Sequence, residues 1–360
     1  MDARVRNHAN LLVRYCIGAT SRETVGVEAG SLAEPLVRAV HEELLRCGAF
    51  PALKLAPEGS AEAVHAMGQN HHFTSEWPFD LAYARCVAKS IGIHAQGNTR
   101  ALSGADPRRQ AQMTTSAKRV WTLLRRKPWV LTVHPTQAYA QDAEMSLREY
   151  EDFVYGAMWA DEADPVRCWR EQGRRQARLV ARLRRARTVR IVGPDTDLTL
   201  SVAGRRFLNS DGRQNMPSGE VYTSPVETSA EGRIRFDFPV CRGGREVHDV
   251  RLVFRDGKVV EADAAKNRDY LLATLDTDAG ARRLGELGIG TNDRIQRFTR
   301  HILFDEKIGG TIHLALGRGF EQAGGRNRSA VHWDLIKDLR RGGAVYVDGR
   351  LLQKDGRFRG

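Results

Sequence analysis

The first half of the chain alternates two hydrophobic rhythms. Short apolar runs of strand length, TVGVEAG, FPALKLA, SIGIHAQG and PWVLTVHPT, are separated by stretches whose apolar residues return every three or four positions. A repeat of about two residues marks extended chain and one of about 3.6 marks helix. The spacing predicts a helix starting around Leu11 to Tyr15, a strand at TVGVEAG, a helix from Leu32 to Cys47 ended by Gly48, and a strand at FPALKLA. Further helices are expected at SAKRVWTLL and SLREYEDFVYGAMWA. Strands and helices in alternation predict a largely parallel sheet covered by helices.

The rhythm changes after a strongly basic segment, WREQGRRQARLVARLRRAR. Val166 just before it and Trp169, Val180 and Leu183 within it recur at near whole turns of about 3.6 residues, so the segment reads as an amphipathic helix with its arginines on the wet side. From TVRIVGPDTDLTLSVAG onward the chain shows short alternating strands, among them RIRFDFPV, VRLVFRDGKVVEADA and AVYVDGRLLQKDG. RDGK and VDGR have the composition of hairpin turns, in which glycine takes the positive φ that other residues resist. One helix, DAGARRLGELG, is expected to interrupt the strands. At 360 residues the chain exceeds the size at which one core usually keeps growing. Two domains are therefore expected: an α/β domain over residues 1–187, and an α+β, barrel-like domain over residues 188–360 that carries the chemistry.

Composition narrows the picture. Hydrophobic content of 41% and charged content of 28% are average for a soluble globular protein, and no apolar run approaches the roughly 18 residues of a membrane span. The first residues, MDARVRNHANLLVRYC, lack the continuous apolar stretch and small-residue cleavage site of a secretory leader, so a cytoplasmic location is expected. The five cysteines include no Cys-x-x-Cys pair, which argues against a disulfide framework and a structural zinc cluster and for buried free thiols. A net charge of +12 raises the question of nucleic acid, but the densest basic run lies on the wet side of a helix, so neither a nucleic-acid nor a membrane partner is expected.

The last third concentrates oxygen and nitrogen donors beside glycine turns: Glu220 in NMPSGEVY, Glu286 in GELGIGTN, His313 in GTIHLALG, and His332 with Asp334 in AVHWD. Such a set suits one or two divalent metals. In TIHLALG a period of two puts Ile312, Leu314 and Leu316 on one face and Thr311, His313 and Ala315 on the other, leaving room beside the imidazole. His332 and Asp334 are two apart and point the same way on an extended chain, with Trp333 toward the core. The following LIKDLRRGG has helical spacing at Leu335, Ile336 and Leu339, so HWD is expected where a strand turns into a helix. A lone strand histidine is more often a hydrogen-bonded structural residue, and a lone glutamate a solvated one. The convergence of four segments favours a shared site. No Gly-x-Ser-x-Gly elbow accompanies Ser329, and GRGFEQAGG does not match the phosphate-binding glycine spacings.

These motifs, with SLAEPLVRAVHEELLRCGAFP, WVLTVHPTQAYAQDAEMSLREYEDFVY and ILFDEKIGGTIHLALGRG before and between them, resemble the thermophilic-type leucyl aminopeptidases, the metallopeptidase family of aminopeptidase T and aminopeptidase S. The resemblance runs almost end to end. It implies a metal-dependent aminopeptidase with two divalent ions, zinc, cobalt, magnesium or manganese, held by Glu220, Glu286, His313, His332 and Asp334. Glu220 or Glu286 would serve as general base, and the substrate would be a peptide or aminoacyl compound. It also implies a homodimer. One departure stands out: seven residues after His313, where the family carries an active-site tyrosine, this chain has Phe320, a candidate substrate-binding position without the hydroxyl. Two alternatives remain open, a specialised amide hydrolase of a biosynthetic pathway and a mononuclear iron ring-cleaving dioxygenase using His313, His332 and Asp334.

Overall fold

The structure is a computed structural model and describes residues 2–242 and 245–359. Two compact units emerge, Met1–Trp169 with Gly212–Pro217, and Arg170–Asp211 with Ser218–Gly360. The division falls after Trp169, inside the helix Pro165–Leu183, and a short later segment returns to the first unit. This differs from a boundary after residue 187. Trp169 gives its indole N–H to the carbonyl of Met158, while Gln172 and Gln176, one and two turns on, bond to residues of the second unit.

The first unit is built on a parallel sheet, as its alternating pattern predicts. Strands β1 (Thr24–Gly30), β2 (Phe50–Ala56), β3 (Lys89–His94) and β4 (Trp129–Val133) are ordered β2-β1-β3-β4, with the short strand Asn215–Met216 beside β4. One face presents Val25, Val27, Ile91, Ile93 and Val130, all buried. The register aligns Gly26 and Glu28 of β1 with Ser90 and Gly92 of β3 along the other. Gly26 is required where it stands, because a Cβ there would collide with the ring and hydroxyl of Tyr83. The helix Glu34–Arg46 starts with a proline in its first turn and buries Leu36, Val37, Val40 and Leu44. Another, Leu147–Ala157, is closed by a reciprocal Ser146–Glu149 cap. The opening helix begins earlier than its apolar pattern indicates, at Ala3, because the Asp2 carboxylate accepts from the N–H of Arg4.

The second unit consists of antiparallel sheets. An eight-stranded sheet runs from Lys258–Asp263 at one edge to Arg357–Phe358 at the other, so the barrel-like unit takes the form of an open sheet. The RDGK and VDGR turns form as expected, with Asp256, Gly257, Asp348 and Gly349 all at positive φ. The other large sheet has five strands: β5 (Glu220–Thr223), β6 (Leu284–Gly290), β7 (Thr311–Gly317) and β8 (His332–Asp338), ordered β8-β7-β6-β5, with Leu208–Ser210 beyond β5. Leu198, Ile234 and Phe254 from the first sheet share one core with Ile312, Leu314 and Leu335 from the second.

Four sequence expectations are corrected here. DAGARRLGELG is not a helix: Leu284–Gly290 is strand β6, whose Leu284, Leu287 and Ile289 enter the core and whose glycines permit close strand approach. HWD does not sit at a strand-to-helix junction, because β8 runs unbroken from His332 to Asp338. In the arginine-rich helix, the buried stripe comprises Trp169, Gln172, Gln176 and Leu183; Val166 and Val180 are only partly covered. Its arginines at 174, 175, 178 and 182 are exposed, as predicted. Of the five cysteines, Cys16 alone is buried and Cys86 is exposed, so most of the thiols are not core filler.

Candidate metal centre

The site lies on the face of the five-stranded sheet opposite the core. Alternation puts Glu220 and Tyr222 of β5, His313 and Ala315 of β7, and His332 and Asp334 of β8 on that face. Glu286 joins them through a bulge. Leu284 and Glu286 would share a face on a regular strand, but the register shifts between them, so the leucine enters the core while the carboxylate turns away from it. Gly288 is paired with both Tyr222 and His313, and a Cβ on it would overlap the His313 ring. The imidazole thus lies across a gap that only glycine leaves. Glu220 is presented by Gly219, at φ +120°, which packs against Asn292.

All five sequence-predicted residues converge. His313 Nε2 lies 3.4 Å from Glu220 Oε2 and 3.4 Å from Glu286 Oε1. His332 Nε2 lies 3.3 Å from Glu286 Oε2 and 3.7 Å from Asp334 Oδ1. Ligand-type atoms of Glu220, Glu286 and His313 fall within 4.8 Å of one another, as do those of Glu286, His332 and Asp334. Glu286 belongs to both groups and directs one oxygen into each. Both histidines are oriented from behind: His313 Nδ1 is 3.0 Å from the carbonyl of Glu306, and His332 Nδ1 is 2.9 Å from the carbonyl of Arg318. A proton donated to each carbonyl leaves Nε2 directed at the carboxylates.

The electrostatics are those of a site that wants positive charge. Burial pushes the His313 imidazole down, but Glu286 and Glu220 more than reverse it and raise its pKa; His332 is raised likewise by Asp334 and Glu286. Burial raises Glu220 and Asp334 above the usual carboxylate range. Glu286, also desolvated, is nevertheless lowered by its two histidines. Two buried oxygens, Glu220 Oε2 and Asp334 Oδ1, make no hydrogen bond. An unbonded buried carboxylate oxygen is costly, and a cation satisfies it. The donor set of carboxylates and imidazoles therefore fits zinc-like or other divalent ions.

Three neighbours escaped the sequence reading. Glu306 forms a third cluster with His313 and Asp334, and Lys307 is fully buried with Nζ 3.7 Å from Glu220 and bonded to Glu306. The signal available was the FDEK run just before β7. Tyr222 is the third: its ring meets Phe320 edge-on at 5.2 Å, and Phe320 meets His332 at the same distance. Burial and the two glutamates keep the Tyr222 phenol protonated.

A family model described as thermophilic metalloprotease (M29) matches residues 1–358 of the chain. Aminopeptidase 2 of Geobacillus stearothermophilus is 30% identical over 359 residues, covering 89% of this chain and 84% of that protein. Among solved structures, wild-type AmpT from Thermus thermophilus superposes with a TM-score of 0.85 at 23% identity over 99% of both chains. The 2,5-dihydroxypyridine dioxygenase of Pseudomonas putida KT2440 shares the fold more loosely, with a TM-score of 0.57 at 14% identity over 99% of this chain and 96% of that one.

Proposed function

The chain belongs to the thermophilic metalloprotease family (M29), and on that premise we propose that it is an aminopeptidase acting through a centre for two divalent ions. Glu220, Glu286 and His313 would hold one ion, Glu286, His332 and Asp334 the other. Zinc, cobalt, magnesium and manganese are the candidates. The observation that carries this reading is the division of Glu286 between two clusters, one oxygen to each histidine.

When bound, the ions supply charge that lowers the pKa of a water molecule and polarises a peptide carbonyl. The chain's own residues do the rest. Glu220, beside His313 and Lys307, is a carboxylate placed to take the proton from that water. Glu286 stays ionised between its two histidines. With Phe320 lacking a hydroxyl, Tyr222 is the neighbouring phenol able to donate a hydrogen bond on this face. A peptide's amino terminus would meet the cluster's carboxylates, so residues would be released from that end.

The iron dioxygenase reading is weaker here. It needs two histidines and one carboxylate around a single ion, and among the described residues each histidine falls in a different cluster. The family resemblance further supports a homodimer, and no described helix is long and apolar enough to cross a membrane. Hydrolysis of dipeptides and aminoacyl anilides by purified protein, before and after chelation and with metal add-back, tests the function. Metal-independent turnover, or one iron per chain with oxygen uptake, would overturn it. Activity confined to one amide among the panel would point to the specialised hydrolase.

A further inference from the structure

The first unit contains a cavity of about 480 Å³ over the small-residue face of its parallel sheet. Gly30, Gly92 and Ala56 form its floor near the carboxyl ends of β1, β3 and β2, the end at which parallel sheets commonly take up ligands. Trp121 and Trp129 stand at its side, and the Arg125 guanidinium lies 6.0 and 5.7 Å from their ring centres. Tyr83 also lines it. It is largely buried, with its hydroxyl packed over Gly26 and its ring bounding the space. At the rim, Glu28 and Asp80 share a single ammonium, that of Lys54, at 3.1 and 2.8 Å. Two carboxylates thus face one ammonium on that side.

We propose that this cavity binds a free aromatic amino acid, with its ring laid on the glycine floor beside the tryptophans, its α-carboxylate on Arg125 and its α-ammonium on Glu28. A flat ring needs a floor without side chains, and Gly92 provides one: a Cβ there would sit 3.3 Å from Leu131 and rise into the space. A binder with both charges and a ring uses every feature of the cavity.

Calorimetric titration of the full chain with L-phenylalanine tests this, with 3-phenylpropionate, 2-phenylethylamine and L-alanine as partial probes. L-phenylalanine should bind saturably, and L-alanine, lacking the ring, about tenfold more weakly or worse. Gly92→Val should abolish binding, and Arg125→Gln should weaken L-phenylalanine and 3-phenylpropionate about tenfold while leaving 2-phenylethylamine unchanged. Arg125 is exposed, so its variant decides the matter if the valine variant fails to fold. Binding should be the same before and after chelation, because none of the cavity's lining residues belongs to a candidate metal cluster. Absence of saturable L-phenylalanine binding, binding lost on chelation, or binding indifferent to both variants would overturn the proposal.

Discussion

Both units bury histidines, and the two units hold them in opposite states. In the first, His8 is fully enclosed, with Nε2 2.8 Å from the Thr132 hydroxyl and Tyr155 edge-on to its ring. Burial, helped by the nearby His134, pushes its pKa down to about 3, and burial alone takes His134 to about 4. In the second, burial acts on His313 and His332 in the same direction, yet surrounding carboxylates carry them to about 10 and about 9. Desolvation is thus common to both, and the count of nearby anions decides the outcome. A buried histidine that stays neutral is part of a core; one held charged by several carboxylates marks a place prepared for a cation.

The largest effect should come from removing that preparation. Glu286→Gln, or chelation of the wild type, should lower release of amino acids from an aminoacyl anilide on the order of a thousandfold, several kcal/mol of barrier. Circular dichroism should remain that of a folded chain. Retained turnover would erase the distinction drawn between the two kinds of histidine. Next, Gly288→Ala should displace the His313 ring, with metal content measured by mass spectrometry falling and affinity reduced roughly tenfold to a hundredfold.

The core histidine yields a pH prediction. His8 has an ordinary value of 6.5 and a folded value of about 3, so its contribution to stability is complete above pH 6.5 and is lost as pH falls toward 3. Between pH 6.5 and pH 5 the loss is roughly 2 kcal/mol. Denaturant titrations over that range should show the slope, and His8→Gln should reduce it by about half, His134 supplying the rest; an unchanged slope would mean that other groups govern acid sensitivity. The smallest effect concerns the phenol. Tyr222→Phe should reduce kcat about tenfold, and Phe320→Tyr should change it less if Tyr222 already serves this face.

How far the sequence revealed this molecule depended on which interactions govern each segment. The parallel sheet was legible because its strands are apolar runs bounded by turns, and the candidate ligand positions on β7 and β8 because alternation fixes their faces. Glu286 was identified but placed on the wrong element. RRLGELGIG repeats leucine at helical distances, while the bulge that makes it a strand arises from pairing with β7, more than twenty residues away. The buried glutamines were missed for a related reason. Gln172 and Gln176 look like solvent-facing residues of a basic helix, and their burial follows from carbonyls and hydroxyls elsewhere, such as the Glu220 carbonyl 2.7 Å from Gln176 Nε2. Glu306 and Lys307 carried no spacing signal, since both act from a loop.

The imidazoles of the centre are steadied by peptide carbonyls, those of Glu306 and Arg318. Every amino acid brings the same C=O, so no single exchange at either position deletes the brace, and an alanine scan would pass over it in silence. What the arrangement cannot survive is a change in the path of the main chain. Over evolutionary time this should leave the identity of residue 318 free to drift while insertions and deletions flanking β7 are purged.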